Sequence, residues 1–166
     1  MLREWREDDL DFFARIYADP QVMRYLGDGS TFDRPTSWRG IATALGHWQL
    51  RGYGQWVVTL KATGEAIGRS GLYNPEGWPG LEVGYVIAPE HQGRGYATEA
   101  AAASLRYARD AVGAERVISL IYHDNRPSQR VAQKLGGVRQ DDVQMLGRAV
   151  MLYAYPMSPA PSGRLI

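Results

Sequence analysis

The stretch "VIAPEHQGRGYATEA", Val86 to Ala100, decides how the rest of the chain is read. It leaves an apolar strand pattern, crosses Pro89, sets Gly93 and Gly95 on either side of Arg94, and runs into an alanine-rich helical pattern. A loop between a strand and a helix lies at the carboxyl end of the strand, where open α/β sheets bind their ligands. The N–H groups of a first helical turn have no intrahelical partner, and the helix dipole adds positive potential there. Glycine has no Cβ, so an anion can touch the main chain directly. Gln92, Gly93, Arg94, Gly95, Tyr96, Ala97 and Thr98 are therefore candidate anion-binding residues, with room for a diphosphate. The competing reading is an ordinary tight turn, since a glycine pattern alone is a weak signal.

Working outward, "LEVGYVI" before the loop reads as a strand, with Leu81, Val83, Tyr85 and Ile87 on one face and Glu82, Gly84 and Val86 on the other. After the loop a helix runs to about Val112, with Gly113 as its stop, and "RVISLIY" is the next strand. Two strands separated by a full helix lie parallel with a right-handed crossover. "NRPSQRVAQKLGG" is a short helix that Asn125 can cap, with Pro127 in its first turn, and "AVMLYAYP" is the last strand. Toward the N-terminus, "QWVVTL" and "AIGRSGLY" read as strands joined by a turn, hence antiparallel. Before them come a helix in "EDDLDFFARIYAD" and a second from Thr36 to Arg51, whose stripe of Trp38, Ile41, Leu45 and Trp48 is expected to face the core. The expected fold class is α/β: a mixed, mostly antiparallel sheet with a central parallel pair, flanked by helices. Residues 1–157 are expected to form a single domain and 158–166 a flexible tail.

The totals narrow the function classes. At 166 residues the chain can bury a core without disulfides or metals. A net charge of +1 gives no reason to expect nucleic acid or a membrane surface as partner. With no cysteine there is no thiolate metal site and no covalent cysteine nucleophile, which fits the cytoplasm. His47, His91 and His123 show no metal-ligand spacing, so no metal is expected. The opening "MLREWREDDL" is not a signal peptide, and no apolar run approaches membrane-spanning length.

Three motifs in order carry a resemblance. "QGRGYA", Gln92 to Ala97, is similar to the Q/R-x-x-G-x-G/A signature of the GNAT N-acetyltransferase superfamily. "LEVGYVI" and "NRPSQRVAQKLG" resemble the strand and the N-x-x-S-x-x-V-x-x-K-x-G helix of its ribosomal-protein N-terminal-acetyltransferase-like branch, and the chain's opening does too. The resemblance implies the GNAT fold, with its parallel pair splayed, and acetyl-CoA as cosubstrate. It implies that the diphosphate lies on the loop amides, that the pantetheine arm pairs with Val86, Ile87 and Ala88, and that Asn125 contacts that arm or orders the strand end. It also implies a first strand that is short or absent, because the chain starts almost where the branch's edge strand ends.

The chemistry expected at the splay is acetyl transfer to a primary amine, from a protein N-terminus or a small molecule, by direct attack in a ternary complex. A protonated amine needs a base. Glu82, an acid in an apolar strand, is the first candidate, against the alternative of a structural ion pair; His123 and Asp124 are rivals. Ser128 is the candidate acid, which the resemblance implies lies near the sulfur, against the alternative of a first-turn hydroxyl serving the helix. Tyr25, Trp38, Trp56, Tyr73 and Trp78 are candidate pocket walls; Trp38 is alternatively core, and Trp78 alternatively a dimer contact. The partners expected are acetyl-CoA and an amine acceptor, with a homodimer left open. Two other classes remain: a non-catalytic CoA-binding or regulatory module on the same fold, and a dinucleotide-binding oxidoreductase. The last wants a strand-terminal acid about 20 residues after its glycines, whereas Glu115 precedes its strand.

Overall fold

The structure is a computed structural model, which describes residues 1–157. The tail expected at 158–166 lies outside the described residues. Seven strands make one sheet in the order β1-β2-β3-β4-β5-β7-β6: β1 (Leu2–Arg3), β2 (Gln55–Thr59), β3 (Ala66–Tyr73), β4 (Glu82–Ile87), β5 (Arg116–Ile121), β6 (Val138–Met145) and β7 (Arg148–Pro156). All neighbours pair antiparallel except β4 and β5, which are parallel and lie at the centre. The first strand is only two residues long.

The helices are α1 (Leu10–Tyr17), α2 (Pro20–Met23), α3 (Arg34–Arg51), α4 (Tyr96–Asp110) and α5 (Arg126–Lys134). The starts of α2, α3 and α5 follow capping chemistry. Asp19 accepts from the Gln21 N–H at 2.8 Å, Asp33 from Thr36 at 2.8 Å, and Asn125 from Ser128 at 3.2 Å. A proline occupies the first turn of each of those helices, where its missing N–H costs nothing. Gly52, at φ +74°, stops α3 in the left-handed conformation that glycine adopts without a Cβ penalty.

The sheet separates two cores. On one face Val57, Val86 and Ala88 pack with Trp5, Phe13, Ile16, Tyr17, Met23 and Ile41, so α1, α2 and α3 cover that side. On the other, Leu72, Val83, Val117, Ile121 and Tyr155 pack with Ala101, Leu105, Ala108 and Ala132 of α4 and α5.

One expectation fails, and one strand lies outside the expectations. Trp38 and Leu45 are about half exposed instead of facing the core. The buried side of α3 runs through Ser37, Ile41 and His47. Two of those positions are polar, and both are satisfied: Ser37 Oγ donates to the Asp33 carbonyl at 2.9 Å, and His47 uses both ring nitrogens. The strand β6 was not foreseen. Its sequence, VRQDDVQM, is exposed along most of its length at the sheet edge, and its pairing with β7 shifts register between Arg139 and Asp142. An edge strand that buries neither face leaves no alternation of apolar and polar residues to read.

β3 and β4 approach closely at Gly68, where a Cβ would overlap the Val86 carbonyl oxygen. Gly68→Ala is expected to cost about 1–3 kcal/mol, read as a lower urea midpoint at unchanged slope. An unchanged midpoint would show that the strands separate there without cost.

Candidate active site

The parallel pair holds together at one point. Ile118 N–H donates to the Leu81 carbonyl at 2.8 Å, and Glu82 stands opposite Ile118. Beyond that rung no further residues of β4 and β5 pair, and side chains occupy the opening. Ser119 Oγ donates to the Val83 carbonyl at 2.9 Å, and the Leu120 N–H points at Glu82 Oε1 at 3.4 Å. In the β3–β4 ladder the Ala88 N–H goes to Ile67, and Val86 stands opposite Arg69. Backbone groups alternate sides along a strand, so Val86 and Ala88 spend theirs on β3, while Tyr85 and Ile87 present theirs to the opening. The Ile87 carbonyl is taken by Gln92 Nε2 at 2.8 Å.

At the top of the opening, Gly93 and Gly95 have φ of +75° and +85°, and a Cβ at either would meet nothing within 4 Å. The backbone conformation requires glycine there, and the space above it is free. α4 begins at Gly95 with no side-chain cap. The first N–H of the segment with a backbone acceptor is that of Glu99, which donates to the Gly95 carbonyl at 3.0 Å. Among the described residues, the N–H groups from Gly93 to Thr98 have no protein partner, and the helix dipole points the same way.

A family model for the acetyltransferase (GNAT) domain matches residues 1–138. The chain belongs to the GNAT acetyltransferase family. It is 30% identical over 153 residues to the uncharacterized protein YkkB of Bacillus subtilis (strain 168), covering 88% of this chain and 85% of that one. An acetyltransferase from Agrobacterium tumefaciens str. C58 superposes with a TM-score of 0.83 at 29% identity, covering 93% of this chain and 88% of the other. The spermidine N-acetyltransferase of Vibrio cholerae, solved with CoA and spermine, shares the fold at a TM-score of 0.77 and 18% identity, covering 95% of each chain.

The two expected catalytic residues of this acetyltransferase reach the opening from opposite faces of the sheet. Glu82 lies on the α1–α3 face, where its Oε2 accepts from Trp78 Nε1 at 2.8 Å. Burial pushes its carboxyl up to about 7; the Trp78 hydrogen bond, the Leu120 N–H and the Arg69 charge each pull it back down. Among the described residues no salt bridge forms at Glu82. Ser128, in the first turn of α5, lies on the other face, and its Oγ is 2.8 Å from the Tyr85 hydroxyl. Burial holds the Tyr85 phenol above its ordinary range, so it stays protonated. Asn125 caps α5 by accepting from the Ser128 N–H, and thereby fixes the turn that carries the serine.

His123 and Asp124 are not drawn to this site. His123 Nε2 lies 2.8 Å from Asp142 of β6, and Asp124 faces Arg24 at 3.5 Å while its carbonyl accepts from the Tyr25 hydroxyl. Trp56 packs edge-on against Tyr107 of α4, away from Glu82. Trp78 and Tyr73 do belong here, in T-shaped contact with centroids 5.2 Å apart. The sequence reading missed Tyr85, Arg69 and His47. The ring of His47 stacks on Tyr73, and it accepts the Asn74 N–H at Nε2, which leaves the proton on Nδ1 for the Tyr53 carbonyl. Asn74 and Tyr73 lie 26 or more residues beyond His47, so they leave no local signal there. Among the described residues no helix is long and apolar enough to cross a membrane, and no group of three or more His, Asp or Glu is placed to hold a metal ion.

Because folding raises Glu82 from 4.5 to about 7, the native state keeps a proton that the unfolded chain has released. Stability should therefore fall as pH rises through that interval and level off above it. The wild-type Tm is expected to drop relative to Glu82→Gln across the same interval in thermal melts. Parallel curves would show that this carboxylate ionises without cost.

Proposed function

We propose that this acetyltransferase uses acetyl-CoA and transfers the acetyl group to a primary amine by direct attack in a ternary complex. The observation that carries the reading is the run of unspent N–H groups from Gly93 to Thr98 at the uncapped start of α4, beside an interrupted parallel pair. Acetyl-CoA supplies an activated thioester and a diphosphate. The amides of Gly93, Arg94, Gly95, Tyr96, Ala97 and Thr98 fit the diphosphate, with open space above both glycines and the Arg94 guanidinium adding charge. Tyr85 and Ile87 hold the pantetheine arm along the open edge of β4. They replace the expected Val86 and Ala88, whose backbone groups face β3.

The two faces divide the proton work. Glu82 takes the proton that the amine must lose on the α1–α3 face. The Tyr85–Ser128 hydroxyl pair stands on the other face as donor to the departing sulfur. A strand N–H on the open edge of β4 serves the carbonyl oxygen as it gains charge.

Two measurements test this. Gly95→Val should weaken calorimetric acetyl-CoA affinity at least tenfold, because each charge-assisted bond lost is worth about 1.5–3 kcal/mol. Far-UV circular dichroism should show helix content retained. Unchanged affinity would move the diphosphate elsewhere. In steady-state assays of free CoA release, kcat/KM should rise with pH through an apparent pKa near 7, the value expected of Glu82. Glu82→Gln should lower kcat by about 10²–10⁴-fold and leave only the limb set by the acceptor amine. Retention of the limb near 7 would assign the base to another group.

A further inference from the structure

On the α1–α3 face the rungs of the β3–β4 ladder read Arg69↔Val86, Gly71↔Gly84 and Tyr73↔Glu82. The middle rung carries no side chain on either strand. Rungs on one face are ~7 Å apart, so this leaves a bare strip of sheet with Arg69 at one end and Glu82, Tyr73 and Trp78 at the other. Gln55 stands opposite Gly71 on β2, and its Nε2 reaches within 3.7 Å of where a Gly84 Cβ would stand. The two glycines differ in kind. At Gly71 a Cβ would overlap the β2 backbone, so packing demands glycine; at Gly84 a Cβ would make only ordinary contact. Packing alone does not explain the missing side chain at Gly84, whereas an occupant of the strip would.

Arg69 is held in place but electrically unspent. Its Nε donates to the Tyr17 hydroxyl at 2.6 Å. Among the described residues its two terminal nitrogens have no acceptor and no carboxylate pairs with it. Glu82 and Tyr73 lie two rungs along the same face of the ladder, and the Arg69 charge favours the ionised form of each.

We propose that this glycine-floored strip is the acceptor slot, and that it selects an amine bearing a carboxylate, with the amine at Glu82 and the carboxylate held by Arg69 beside the Gln55 amide. The inference rests on the acetyltransferase reading above. It sets this chain apart from a polyamine enzyme: a second ammonium at the far end of the slot would meet the unpaired guanidinium, whereas a carboxylate there forms a bidentate pair.

The test uses ω-amino acids of increasing chain length, the matching amides and spermidine as acceptors, with acetyl-CoA binding measured separately by calorimetry. For the wild type, kcat/KM for at least one free acid should exceed that of its amide at least tenfold, with spermidine poorer than that acid. Arg69→Gln should abolish the acid-over-amide ratio by raising KM for acids, a change that general loosening of the fold does not produce. Gly84→Ala should leave Tm and acetyl-CoA affinity unchanged and raise the acceptor KM at least tenfold. Amides equal to acids, or spermidine preferred, would overturn the assignment of the slot while leaving acetyl-CoA binding intact. Absence of acetyl-CoA binding would instead bring down the underlying reading and this inference with it.

Discussion

A single rung holds β4 to β5, and the rest of the site follows from its being single. Interior strands carry obligatory donors and acceptors, and leaving them unpaired away from water is costly. Here the strand groups freed by the interrupted ladder are met by side chains: Ser119 for the Val83 carbonyl, Glu82 for the Leu120 N–H, Gln92 for the Ile87 carbonyl. Polar residues embedded in otherwise apolar strands are therefore the means by which the sheet stays open at its centre. A fully zipped parallel pair would need none of them, and would leave no edge for a ligand to join.

Opening the sheet turns it into a partition with chemistry on both sides. On one face Glu82 is held by Trp78, and Trp78 packs on Tyr73, which in turn stacks on His47. His47 accepts the Asn74 N–H and donates to the Tyr53 carbonyl, so it ties the end of α3 to the loop that delivers Trp78. On the other face Tyr85 meets Ser128, whose helix is fixed by Asn125. Glu82 and the Tyr85–Ser128 hydroxyl pair thus approach one opening from opposite directions. That arrangement suits a reaction in which one partner enters as another leaves.

Much of this was legible in sequence because the signals were local. The strand–loop–helix around Gly93 and Gly95, the cap at Asn125 and the acid at Glu82 each announce themselves within a few residues. What escaped was non-local or unpatterned. β6 buries neither face, so it carries no alternation. Trp38 followed an apolar stripe on α3, but the buried stripe is rotated onto Ser37 and His47, whose polar atoms are satisfied by partners that sequence does not show. Arg69 looks like an unremarkable strand cation until the register places Gly71 and Gly84 side by side next to it. The resemblance implied Val86, Ile87 and Ala88 as a run, yet which residues face the gap is settled by hydrogen-bond phase, and phase is set by the partner strand.

The balance at Glu82 joins the fold to the chemistry. Burial alone favours the neutral acid and would leave little base at neutral pH. The Trp78 N–H, the Leu120 N–H and the Arg69 charge all favour the anion, and the outcome is a carboxyl near 7. A carboxyl in that range is ionised in a substantial fraction at neutral pH, which is what the base proposed above requires. Each opposing contribution comes from a different element: the loop before β4, the freed edge of β5, and β3. The interrupted ladder supplies one of them directly, because the Leu120 N–H faces Glu82 only where β5 has no backbone partner.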